Sequence, residues 1–342
     1  MKRIIVTVLA AAIAATFAIP VFSAISTPVA RVNLTKTTVI TQEQIDERMV
    51  AYRETYGDSV TEATVLDAMI SDELIAQALA RDGFVLSDDQ KNELLSAQKQ
   101  AIEAQLGTSL TDERFESFIQ TNYGATVESF KEYLAQQYTI QNYVTAKKAD
   151  MFDQSSLVPS DSTIEAFYKK NKSTFISPEN VKLSHIFFNF GEDKDAALKK
   201  ATDVANRIAS GSITFEKAVA QYSEDKASID SAGDIGWLTI SDSNARGYMG
   251  ENFFDKVFEL EAGDVSSVIE SLAGYHIVKV SVHNQAKFLG IDDKTSPTET
   301  TTVRDYIKNY IYNQNVSEKF QQAFLSLVND LKSEASIKYL KK

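Results

Sequence analysis

The sequence predicts an α+β domain set within a mostly α-helical chain. Three observations carry this. Residues 41–151 place apolar residues at helical spacing between repeated cap signals. From Asn180 to Asn284 short β-branched and aromatic runs alternate with amphipathic helices. After the polar stretch "DDKTSPTETT" the helical period returns and lasts to Leu331. A length of 342 residues fits two domains or slightly more.

The chain begins with a basic Met1-Lys2-Arg3, followed by the 19 uncharged residues Ile4 to Phe22. In "VFSA", Val21 and Ser23 have the small-residue spacing of a cleavage site. Residues 1–23 are therefore expected to be a secretory signal. The competing reading is an uncleaved inner-membrane anchor, since such a run can just span a bilayer. Either way the bulk of the chain is exported to the periplasm or another extracytoplasmic compartment. A membrane contact is expected only if that segment stays attached.

Net charge is −12, which speaks against nucleic acid as a partner, because a phosphate backbone needs a basic face. There is no cysteine. Disulfides, thiolate metal sites, cysteine nucleophiles and a lipid-bearing cysteine are all excluded.

The elements follow in order. "VARVNLTKTTVI" reads as a short strand with a turn. Thr41–Gln44 is a capping box opening a helix to Tyr56. Leu66, Ile70 and Leu74 mark a second helix ending near Gly83. Ser87–Gln90 is another box, and its helix stops at Gly107. Helices over Thr111–Gln120 and Thr126–Met151 follow, the latter with Phe130, Leu134 and Tyr138 on one stripe. Ser162–Glu165 reads as a third box, with a helix through Tyr168.

The middle region reads as strand 181–189, helices 193–209 and 214–222, strand 235–239, helix 251–258, and strands 265–270 and 275–282. The segment between Leu238 and Met249 reads as a loop. Val303, Ile307, Tyr310 and Ile311 begin a stripe that Val316, Phe320, Phe324, Leu327 and Leu331 continue. The expected division is 1–23 signal, 24–177 helical domain, 178–284 α+β domain and 285–342 a C-terminal helix completing the helical module.

Histidine is scarce, with three in the chain. In "VKLSHIFF", alternation sets His185 on the face of Val181, Leu183 and Phe187. In "GYHIVKV" it sets His276 with Val278, Val280 and Val282. One histidine on an apolar strand face is usually a hydrogen-bonded core residue. Two in matching settings weaken that reading without settling it. His283, beside the polar "NQAK", is expected to be an ordinary surface residue.

The pieces "VKLSHIFF", "GSITFEKAVAQYSED", "GDIGWL", "MGENFFDKVFEL", "EAGDVSSVI" and "GYHIVKV" occur in the order found in parvulin-type peptidyl-prolyl cis-trans isomerases. Residues 180–283 resemble that family along their whole length. The resemblance implies a four-stranded antiparallel sheet with helices, in which His185 and His276 sit on adjacent central strands. It implies a polar cluster of His185, Asp225, Ser271 and His276. It further implies an apolar proline pocket from Ile235, Leu238, Met249 and Phe253. Three departures stand out: the segment before Met249 is longer than usual, Leu238 replaces an aromatic, and Val268 replaces a frequent proline. No cofactor and no metal is expected. A metal held by the two histidines and Asp225 would lack any close-spaced ligand pair such as HExxH, and a hydrolase would lack a nucleophile elbow.

The flanking helices resemble, more loosely, the chaperone portion of SurA-type and PrsA-type exported foldases. That resemblance implies one helical module holding the inserted isomerase, with unfolded X-Pro-containing chains as partners. The tyrosines along its helices (Tyr133, Tyr138, Tyr143, Tyr306, Tyr310, Tyr312) suit adaptable binding, or serve as core and boundary residues. The function expected is a foldase with isomerase activity. The rival is a holdase whose parvulin domain binds peptides without turning them over.

Overall fold

The computed structural model describes residues 27–340. The signal-or-anchor expectation for residues 1–23 lies outside them. No helix among the described residues is long and apolar enough to cross a membrane. The chain divides into two compact units. One comprises the described residues up to Val158 together with those from Tyr312 onward, and the other is Pro159–Ile311.

The first unit opens on β1 (Pro28–Asn33) and β2 (Thr37–Thr41), followed by α1 (Gln42–Tyr56), α2 (Glu62–Arg81), α3 (Asp88–Leu106), α4 (Asp112–Tyr123), α5 (Val127–Lys147) and the short α6 (Gln154–Leu157). The capping boxes at Thr41/Gln44 and Ser87/Gln90 form as the sequence predicts. The strand-with-turn is an antiparallel hairpin. Its turn is held by buried Gln77, whose Oε1 accepts from the amides of Leu34, Thr35 and Lys36 at 3.0, 2.8 and 3.2 Å.

The second unit continues with α7 (Asp161–Lys170), β3 (Ile176–Ser177), β4 (Asn180–Asn189), α8 (Lys194–Ala209), α9 (Phe215–Tyr222), β5 (Asp234–Thr239), α10 (Ser243–Met249), α11 (Glu251–Phe258), β6 (Ile269–Glu270), β7 (Gly274–Asn284) and β8 (Lys287–Phe288). The long α12 (Val303–Glu334) and β9 (Ser336–Tyr339) end the chain.

The second unit holds a four-stranded antiparallel sheet, ordered β5-β4-β7-β6. The period of two sorts its residues onto two faces. Ile186, Phe188, Tyr275 and Ile277 pack with Val204, Phe215 and Val219 of α8 and α9. Val181, Leu183, Val278 and Val280 pack with Phe253, Phe254 and Val257 of α11. His185 and His276 alternate onto the α11 face.

Several expectations are corrected. The helix at α7 is capped by Ser160, which accepts from Thr163 N, and not by a Ser162–Glu165 box. Asp161 then occupies the first turn, where a negative charge complements the helix dipole. The supposed loop before Met249 contains α10, capped by Asp242. The strand expected at 265–270 is regular only at Ile269–Glu270, with Val265 forming an isolated bridge to Lys279.

The apolar stripe of α12 serves two cores. Val303, Ile307 and Ile311 pack with Ile164 and Leu289. Ala323, Leu327, Val328 and Leu331 join Ile45, Leu74 and Tyr143 in the first unit. The last strand was not foreseen: β9 pairs with β1, giving the sheet order β2-β1-β9.

Candidate active site

β4 and β7 run antiparallel, with Phe187 opposite His276 and His185 opposite Val278. This register sets the two imidazoles side by side, Nδ1 to Nδ1 at 3.1 Å. His185 Nε2 lies 2.9 Å from Asp225 Oδ2, and His276 Nε2 lies 2.9 Å from Ser271 Oγ. The four polar residues singled out in the sequence thus form one chain, Asp225–His185–His276–Ser271.

Donor and acceptor chemistry fixes the protons in it. An ionised carboxylate only accepts, so His185 donates from Nε2. Its Nδ1 then accepts from His276 Nδ1–H, leaving His276 Nε2 to accept from the Ser271 hydroxyl at 2.9 Å; the Gly274 carbonyl, the other acceptor near that hydroxyl at 3.1 Å, already receives the Ser271 N–H at 2.8 Å. Ser271 Oγ in turn accepts from the amides of Ala273 and Gly274 at 3.1 and 3.2 Å. With both rings neutral, every buried group in the chain is satisfied.

The electrostatics agree. Burial holds His276 down to about 3, with His185 pushing the same way. His185 is also lowered, because burial outweighs the opposing pull of Asp225. Asp225 lies below the usual carboxylate range, chiefly through a hydrogen bond from Ser228 and then through His185. The histidines and Ser271 are at most 7% exposed, whereas the Asp225 side chain is 27% exposed. Asp225 is the end of the chain that solvent reaches.

The apolar flank is uneven. Phe253 is fully buried, its ring edge-on to His276 at 5.0 Å. Leu238 and Met249 pack against the same cluster. Ile235 does not join that cluster and is 39% exposed.

Three contributors were missed. The Phe187 ring lies 4.9 Å from that of His276 and stacks on His185 at 6.1 Å. Ser228 binds Asp225. Gly233 (φ +79°) accepts from His185 N–H at 2.8 Å, and a Cβ there would lie 2.4 Å from the His185 carbonyl oxygen. The signal for Ser228 was a hydroxyl three residues after an aspartate, a common turn pattern. His283 is a correction: its side chain is 4% exposed and held at both nitrogens. Among the described residues no group of three or more His, Cys, Asp or Glu is placed to hold a metal ion.

Residues 167–284 match the PPIC-type PPIASE domain. The second unit thus carries a parvulin-type peptidyl-prolyl isomerase domain, and the chain around it is PrsA/SurA-like. It is 25% identical to the Foldase protein PrsA of Clostridium botulinum over 279 residues, 81% of this chain and 73% of that one. It is 27% identical to the Chaperone SurA of Nitrosococcus oceani over 226 residues, 65% of this chain and 48% of that one. Among solved structures, a SurA-like chaperone of Campylobacter jejuni aligns at 20% identity and a TM-score of 0.37, covering 68% of this chain and 97% of its own.

Proposed function

We propose that the chain is an exported foldase, whose parvulin domain speeds X-Pro isomerisation in unfolded clients held by the flanking helical module. The division into 24–177, 178–284 and 285–342 is part of this proposal. So are the extracytoplasmic location and the roles of the site residues. The observation that carries it is the closed chain Asp225–His185–His276–Ser271 lying against the Phe253 ring.

Rotation about an X-Pro bond crosses about 18–20 kcal/mol, because amide resonance is lost at the twisted geometry. No nucleophile is needed. The site has only to bind the twisted amide better than either planar form. An apolar wall from Leu238, Met249 and Phe253, with Ile235 at its exposed margin, supports gripping the proline ring and excluding water. Loss of water disfavours the charge-separated resonance form of the planar amide. Asp225, the accessible end of the polar chain, meets the amide. The buried histidines hold its carboxylate in place and set the local polarity.

The test is a prolyl isomerisation assay on the exported chain with a series of Xaa-Pro peptides. Acceleration above the uncatalysed rate supports the reading. No acceleration, with aggregation of an unfolded client still suppressed, replaces it with the holdase.

A further inference from the structure

Ser228 lies in the loop between α9 and β5 and is 4% exposed. Its hydroxyl donates to Asp225 Oδ2 at 2.6 Å, the oxygen that also accepts from His185 Nε2. Its carbonyl accepts from Gly233 N–H at 2.8 Å, and the Gly233 carbonyl accepts from His185 N–H at 2.8 Å. The contacts close a ring: Asp225 to Ser228, Ser228 to Gly233, Gly233 to His185, and His185 back to Asp225. One residue therefore ties down both partners of the bond that begins the polar chain.

We propose that Ser228 is a positioning residue of the isomerase site, holding the Asp225 carboxylate ionised and aimed at His185. This rests on the reading of that site given above. Asp225 already makes a turn contact without Ser228, since its Oδ1 accepts from Ala227 N–H at 3.2 Å. The Ser228 hydroxyl addresses the other oxygen, the one the histidine uses. Two donors converging on one oxygen leave it no room for a proton, and a hydrogen bond to the charged form favours that form. The Gly233 contact keeps the loop from drifting, because its backbone is packed too tightly against the His185 carbonyl for any other side chain. The titratable group facing Asp225 is His185 of β4, with His276 of β7 behind it.

The test uses the exported chain carrying Ser228→Ala, with Ser228→Thr and Ser228→Val as a hydroxyl-bearing and hydroxyl-free isosteric pair should the alanine variant not fold. Two quantities are followed across acid to neutral pH: kcat/KM on an Xaa-Pro peptide, and the Asp225 carboxyl carbon by NMR titration. Without the hydroxyl, Asp225 takes up its proton at higher pH. The acid limb of the rate moves up, and kcat/KM at its acid end falls about tenfold, as expected for losing a hydrogen bond to a charged group. The neutral plateau falls as well, by less than the acid end, because the carboxylate loses part of its aim at His185, and threonine restores the wild-type profile. An acid limb and an Asp225 titration identical with and without the hydroxyl overturn the proposal. A shifted Asp225 titration in a chain with no isomerase activity upholds the positioning role and removes the enzymatic reading instead.

Discussion

The two ends of β7 each carry a histidine, one linked to a carboxylate through a second ring and one directly, and the two behave oppositely. Near its start, His276 leans on His185, which meets Asp225 at 2.9 Å. Near its end, His283 meets Glu179 at 2.7 Å. Helix α11 sets a phenylalanine edge-on to each, Phe253 to His276 at 5.0 Å and Phe258 to His283 at 6.2 Å. Yet burial lowers His185 and His276, while His283 is raised because Glu179 and the Leu260 carbonyl outweigh its burial.

The difference lies in what the second nitrogen faces. His185 has a ring nitrogen there, which can donate. His283 has the Leu260 carbonyl at 2.7 Å, which can only accept. Two acceptors are best answered by two protons, so this setting favours the imidazolium form of His283, in line with its raised pKa. The Gln285 side-chain nitrogen lies 3.3 Å from the same Nε2, a longer contact than the 2.7 Å to Glu179. Contact with a carboxylate alone does not charge a histidine.

The largest expected effect comes from removing the ring beneath the polar chain. Phe253→Ala should cost about 3–5 kcal/mol of stability, the usual cost of emptying a fully buried aromatic site. It should also abolish measurable isomerisation. Phe258→Ala, whose ring is only partly buried, should cost less and leave the rate nearly intact. Denaturant melts and peptide assays of the two variants decide this. Equal losses in both would mean that α11 packs as a unit and that the two ends are not distinct.

A smaller effect is expected from His276→Ala, about 1–3 kcal/mol, because it leaves buried His185 Nδ1 without its donor, while the Ser271 hydroxyl can still turn to the Gly274 carbonyl at 3.1 Å. Trp237, the only tryptophan and part of β5, reports the unfolding of this unit by fluorescence. An unchanged melt with abolished activity would assign His276 a direct chemical role in place of a supporting one.

How much of this was legible depends on the range of the interactions. Alternation in "VKLSHIFF" and "GYHIVKV" put both histidines on one face, and that is where they lie. The capping boxes at Thr41 and Ser87 were equally readable, being contacts over three residues. Long-range pairing was not. Nothing in "SIKY" announces that it completes a sheet with β1, because register is decided by a partner far away in sequence. The setting of His283 was hidden for the same reason: Glu179 is 104 positions away and the Leu260 carbonyl 23. Ser228 lay within three residues of Asp225, but a serine after an aspartate is too common to stand out. The stripe of α12 was visible, but not that its first turns and its later turns join different cores.

The smallest expected effect separates the two ends by pH alone. A histidine whose folded value is raised stabilises fully below its unfolded value, and that contribution fades as pH rises through the folded value. His283 is of this kind, so stability of the isomerase unit should fall as pH rises above about 6.5, the ordinary histidine value. A histidine whose folded value is lowered acts in the other window. Below about 6.5 the unfolded state takes up protons that folded His185 and His276 refuse, so acid destabilises that end. The chain has no other histidines, which leaves His283 as the histidine able to lower stability between neutral and mildly alkaline pH. Melting of the chain, followed through Trp237, should therefore decline on the alkaline side of neutrality. His283→Gln, which keeps a donor but cannot carry the charge, should be less stable near pH 6 and flat across that window. A wild-type melt that holds level from about pH 6 to 9 would mean that His283 is neutral, and that one of its two acceptors goes unanswered.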